Sequence, residues 1–172
     1  MKETLVDLVT RRSCRAYKKE QISDEELDMI LTAGTFAPTA MNQQSPIIVV
    51  VQDAKTIAAM SELNAKVMGA DIDPFYGAPT VCIIMAPKDA KSGVQDGSLV
   101  IGNMLNAAHA LGIGSCWINR AKEVFDSAEG KALMAKWGID DNYEGIGNCI
   151  LGYPEKTDVD AAPRKADYIR KV

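Results

Sequence analysis

The sequence has few of the residues that most enzymes use for chemistry. One histidine, His109, occurs in 172 residues, and no Ser-His-Asp set can be assembled around it. Lying between Leu105 and Leu111 in an apolar segment, it reads as a core histidine. The four cysteines, Cys14, Cys82, Cys116 and Cys149, stand singly, with no C-x-x-C and no His-rich neighbourhood. That pattern excludes zinc or iron–sulfur ligand spacing and reads as reduced thiols. Apolar runs stop at strand length, far short of a membrane span. No apolar h-region follows Met1-Lys2-Glu3, so the expected location is the cytoplasm. A net charge of -4 gives no general attraction to nucleic acid or to an anionic membrane. A P-loop is missing. Gly112-Ile113-Gly114 and Gly145-Ile146-Gly147 each stop before the third glycine of a dinucleotide fingerprint. With nucleophile, metal and nucleotide motifs excluded, hard chemistry would have to come from a bound cofactor.

What is present is ordinary globular material, 47% hydrophobic and 24% charged, with no repeat or linker. One domain over residues 1–172 is expected. Leu5, Leu8 and Val9 share a face of a helix over Glu3 to Arg11. Ser23-Asp24-Glu25-Glu26 is a capping box, and Pro38 stops the helix that it starts. Ile47 to Val51, β-branched and unalternating, reads as a strand covered on both faces, as does Pro79 to Met85. Ala54 to Met68 and Lys122 to Trp137 read as helical, and Ser115 to Asn119 and Gly147 to Gly152 as strands. Asp96 to Leu111 reads as a helix apolar on nearly every face, for a core or an interface. Gly102 within it suggests close approach of another backbone. Tyr153 to Val172 lacks apolar periodicity and is either disordered or laid along a surface, another subunit's included. The fold class is α+β, an α/β sandwich.

Basic charge gathers at both ends of this acidic chain, in Arg11-Arg12-Ser13-Cys14-Arg15 and in Pro163-Arg164-Lys165. Each cation alone reads as solvated surface charge. Three arginines within five residues repel one another unless an anion is shared. A phosphate monoester, doubly charged and rich in acceptors, suits forked guanidinium donors and a serine hydroxyl.

Five segments, in order along the chain, resemble the nitroreductase family. They are Arg11-Arg12-Ser13-x-Arg15 with Tyr17; Ala37-Pro38-Thr39-Ala40-Met41-Asn42-Gln43-Gln44-Ser45-Pro46; Asp73 to Pro79; Ala108 to Trp117; and Leu151-Gly152-Tyr153-Pro154 with Pro163-Arg164-Lys165. The resemblance implies a nitroreductase-like fold, a central mostly antiparallel sheet flanked by helices, in an intertwined homodimer with FMN in a cleft between the subunits. It implies that Arg11, Arg12, Ser13 and Arg15 meet the phosphate, ribityl chain and pyrimidine edge. Pro38, Thr39, Ala40, Asn42 and Gln44 would come from the second subunit. Trp117, Ile118 and Asn119 would flank the dimethylbenzene-to-N5 side, and Arg164 with Lys165 would close on the phosphate. Thr39-Ala40 stands for the commoner Ser-Ser pair, and Ser45-Pro46-Ile47 lacks the indole usual there.

The reaction so implied is hydride transfer from NADH or NADPH to FMN N5, then reduction of a nitroaromatic, quinone or similar small acceptor at the same face. Arg15 is the candidate for the positive group beside flavin N1 and O2. Dehalogenation, ene reduction or flavin fragmentation on the same scaffold, or a non-enzymatic flavin-binding regulator, are the alternatives.

Overall fold

In the computed structural model, which describes residues 1–156 and 160–172, the longest apolar run is a central strand. This is β2 (Thr80–Pro87); the other strands are β1 (Ile47–Val51), β3 (Gly114–Ile118) and β4 (Tyr143–Gly152). Their order is β1-β2-β4-β3, and each neighbouring pair is antiparallel. Successive strand side chains point to opposite faces, so an unbroken apolar run requires cover on both. Val81, Ile83 and Met85 face one core, with Met60, Val124, Phe125 and Met134. Cys82 and Ile84 face the other, with Leu27, Ile30, Val100, Ile101 and Met104.

The first core is covered by α3 (Ala54–Met68), α5 (Ala121–Asp126) and α6 (Ala128–Lys136), the second by α2 (Asp24–Thr35) and α4 (Gly93–Ala110). An α/β sandwich is therefore the architecture. Short-range chemistry sets the helix starts. The Ser23 capping box is closed in both directions. Asp53 accepts from Thr56 N to begin α3, and Ser127 accepts from Gly130 N to begin α6, dividing the segment 122–137 into two helices. The remaining helix, α1 (Glu3–Thr10), lies against α4 and buries none of its residues.

Several sequence expectations are corrected. β1 is an edge strand whose Val50 is exposed, because cover on both faces reaches only the sheet interior. β4 begins at Tyr143, before the expected Gly147; its glycines hide the strand pattern. Gly145 serves packing, since a Cβ there would lie 2.5 Å from the Ala121 carbonyl oxygen. α4 does carry polar groups, with Asn103 Nδ2 donating to the Ala33 carbonyl. Among the described residues outside its own helical backbone, none approaches a Cβ built on Gly102 within 4 Å. His109, on α4, is half-buried, its Nε2 hydrogen-bonded to Thr10 Oγ1 of α1 at 2.8 Å, so it is not a core residue. Residues 160–172 are exposed throughout; Thr157, Asp158 and Val159 of the expected tail lie outside the described residues.

Cys82 and Cys149 face each other across β2 and β4, both fully buried. Burial pushes the Cys82 thiol up to about 12 and that of Cys149 well above its ordinary value. Since the thiolate is the nucleophile, brief iodoacetamide treatment of the native protein should leave both unlabelled, and denaturation should expose them. Mass spectrometry of tryptic peptides checks this; rapid native labelling of either would contradict it.

Candidate functional site

Leaving α1, the chain runs in extended form along the free edge of β3. Cys14 N donates to the Ser115 carbonyl at 2.9 Å, and Ser13 bridges Ser115 in parallel register. Further on, Lys18 N donates to the Tyr153 carbonyl and Glu155 N to the Ala16 carbonyl. Tyr17 fastens the ribbon from within: it is buried, and its hydroxyl donates to the Cys14 carbonyl at 2.8 Å. Burial, then the neighbouring Cys14, raises its pKa and keeps it a neutral donor. The Tyr153 hydroxyl donates to Glu26 at 2.6 Å, and that bond, with those from Ser23, holds the Glu26 carboxyl below the usual range. Arg11 to Arg15 thus sit on a fixed ribbon.

Two recesses flank that ribbon. One, of about 270 Å³, includes Arg15, Tyr76, Trp117, Ile118, Asn119 and Arg120 in its lining. The other, of about 160 Å³, includes Thr10, Arg12, Ser13, His109 and Lys156. Among the described residues, neither is lined by an acid. They open near opposite ends of β3, Gly114 lining the second and Ile118 the first, a separation of about 13 Å along a strand. Arg12 Nη1 donates to the Val9 and Arg11 carbonyls, but Arg12 Nε and Arg11 Nη1 are buried with no hydrogen-bond partner among the described residues. An unpartnered buried guanidinium nitrogen calls for an acceptor.

The structure therefore places Arg15 with Trp117, Ile118 and Asn119 in one recess and Arg12 with Ser13 in the other, while Arg11, on the same ribbon, lines neither. It holds the others apart. Pro38, Thr39, Ala40, Asn42 and Gln44 belong to the loop before β1, at the opposite edge of the sheet, three interstrand spacings or about 14 Å away. That loop is built with care: Gln44 N donates to Thr39 Oγ1, Gln44 Nε2 to Asn42 Oδ1, and Ala40 N to the buried Asp96. Met41, Asn42 and Gln44 all have positive φ, at 53°, 55° and 50°. Non-glycine residues in this region cost energy and cluster where function requires them. Arg164 donates to the Ala162 carbonyl and Lys165 lies over the Tyr168 ring, both in the exposed tail. Neither lines the two recesses.

Sequence reasoning missed Tyr76 and Arg120, which line the larger recess, and Asn64, which lies outside its lining and bonds to Asn119 and Arg120. Asn64 is fully buried; its Nδ2 donates to the Asn119 carbonyl and its Oδ1 accepts from Arg120 Nε, both at 2.9 Å. Its spacing of four from the buried Met60 put it on the inward face of α3, a legible signal. Arg120 and Tyr76 both take positive φ, 73° and 54°, which nothing in their identity announces. A more capacious cavity, about 1130 Å³ along α3 and residues 69–79, lies elsewhere. Its rim mixes Lys19 and Lys66 with Glu62, Asp71 and Asp73, so volume there comes without a concentration of one charge. The smaller acid-free recesses are the better candidates.

Known proteins agree in fold. A crystal structure of a nitroreductase with bound FMN from Bacteroides fragilis superposes with a TM-score of 0.92 at 28% identity, covering 100% of both chains. A protein of Archaeoglobus fulgidus, named as an NADH dehydrogenase/NAD(P)H nitroreductase, is 39% identical over 160 residues, 90% of this chain and 87% of that one. An FMN reductase [NAD(P)H] of Bacillus subtilis is 26% identical over 67% of this chain and 53% of its own length. The family model for the nitroreductase family matches residues 8–74 and 70–153. On these matches the chain belongs to the nitroreductase family.

Proposed function

We propose that the protein is an FMN-dependent oxidoreductase that uses NAD(P)H to reduce nitroaromatics, quinones or similar small acceptors, and that it works as a homodimer. The observation that carries this reading is the pair of acid-free, arginine-bearing recesses at the two ends of β3. They suit an elongated ligand with a phosphate at one end and a flat ring at the other. The unpartnered nitrogens of Arg11 and Arg12 fit its anionic end, and the names of the relatives above support the choice of FMN and of a nicotinamide donor.

When bound, FMN would supply hydride chemistry at its N5. The protein's part is positional. Arg12 and Ser13, with Arg11 behind them, would hold the phosphate and ribityl chain; Arg15 would place positive charge beside the pyrimidine edge, where reduction accumulates negative charge. Trp117, Ile118 and Asn119 would form the wall of the ring site. A second copy would supply Pro38, Thr39, Ala40, Asn42 and Gln44, which lie too far from Arg15 in the same chain, and Arg164 with Lys165 would close from the exposed tail. Dimerisation also gives cover to apolar side chains left in water: Leu5, Leu8 and Val9 of α1, Phe36, Met41, Tyr168 and Ile169 are all exposed. No described helix is long and apolar enough to cross a membrane, and scattered unpaired thiols suit a cytoplasmic setting.

The test starts with the cofactor. Denaturation should release FMN, identified by chromatography, and recovery of FAD would sink the reading. Anaerobic NADH or NADPH should bleach the bound flavin, and initial rates with a quinone should give parallel double-reciprocal lines. Intersecting lines would mean that donor and acceptor bind together.

A further inference from the structure

Resting on the proposed flavin site, we infer that Arg120 selects acceptors that carry an anionic group, with aromatic carboxylates as the class it fits. The larger recess contains two guanidinium groups, Arg15 and Arg120, and no acid. Among the described residues, neither arginine forms an ion pair; Arg120 makes one side-chain hydrogen bond, through Nε to Asn64. If Arg15 serves the pyrimidine edge, one cation remains unspent. Around it the recess offers Trp117, Tyr76, Ile72 and Pro74, surfaces for a flat apolar ring. A ring with one negative substituent satisfies both features.

The position of Arg120 is built, not incidental. Its φ of 73° places a non-glycine residue in the left-handed region just past the end of β3, a conformation that costs energy outside glycine. Wholly buried Asn64 holds it there from both sides, gripping the Asn119 carbonyl and Arg120 Nε. With Nε engaged, the terminal nitrogens stay available as a donor fork. Tyr76, also in the lining, takes a positive φ too, at 54°. Asp73 pins its turn by accepting from Phe75 N, Gly77 N and Ser61 Oγ at 2.9, 2.6 and 2.5 Å. Two separate hydrogen-bond clamps thus hold residues of positive φ in the lining of one recess. Such strain persists where the surroundings over-determine it, and it clusters at ligand sites.

The proposal is tested with Arg120→Gln, which keeps a side chain at the positive φ and removes the charge. Calorimetry on the FMN-loaded protein measures binding of benzoate, which is not reduced, against benzyl alcohol. In turnover, kcat/KM for 4-nitrobenzoate is divided by that for 4-nitrobenzyl alcohol. Loss of a charge-assisted bond is expected to weaken benzoate by about ten-fold and to lower the ratio by a similar factor, with Arg120→Lys between the two. Equal benzoate affinity in wild type and Arg120→Gln would overturn the proposal. So would loss of FMN from the variant, which would assign the guanidinium to the cofactor, or an effect confined to NADPH, which would assign it to the donor. Failure of NAD(P)H to reduce the flavin, with the benzoate preference intact, would sink the proposed function and leave this site standing.

Discussion

Replacing Arg11 with alanine is expected to weaken FMN by about ten- to a hundred-fold, the equivalent of the roughly 1.5–3 kcal/mol that a hydrogen bond to a charged group contributes. The guanidinium sits on a ribbon fastened to β3, with Nη1 buried and unpartnered, so its removal breaks no side-chain hydrogen bond of the protein found among the described residues. Arg15→Ala should lose affinity on the same scale, through the ring end of the site. Lys18, exposed three residues on, is the control and should be nearly silent. Quenching of FMN fluorescence on titration into the stripped protein gives each dissociation constant. Equal losses at Arg11, Arg15 and Lys18 would point to the summed field of the ribbon instead of a defined site.

Phe125→Ala is expected to cost about 3–5 kcal/mol of folding stability. Its ring is 2% exposed, packs at 6.0 Å from Trp137, and joins α5 to the core beneath β2 and β4. Against a total of about 5–15 kcal/mol for an ordinary domain, that is a large share. Cofactor and partner both shift apparent stability by mass action, so urea unfolding should be compared in FMN-free protein at one fixed concentration. A loss below about 1 kcal/mol would mean that α6 closes over the gap, and the tight layer described here would be wrong.

Much of this architecture could be read along the chain, because its signals are local. The Ser23 capping box, the β-branched run of β1 and the apolar run of β2 each work through neighbours a few residues away. The errors fell where distant partners decide. Gly145 hides the start of β4 until Ala121 is seen pressed against it. β1 reads as interior until the strand order puts it at an edge. The same division holds for the site. Arg11 to Arg15 and the Thr39 to Gln44 loop are contiguous motifs and stood out. Asn64, Tyr76 and Arg120 come from three separate segments, and they meet only because α3, the 73–77 turn and the end of β3 converge. Positive φ at a tyrosine and an arginine is likewise invisible in residue identity.

The strand order has a genetic consequence. If the Thr39 to Gln44 loop of one copy completes the arginine cleft of the other, each site is encoded twice over, half in each polypeptide. A loop variant would then damage its partner's site and leave its own cleft intact, while an Arg11 variant would do the reverse. In an assembly mixed from the two, one site would inherit both defects and the other neither. Two inactive alleles expressed together would recover part of the activity that each lacks alone, and a carrier of one damaged allele would lose a share set by how the copies pair.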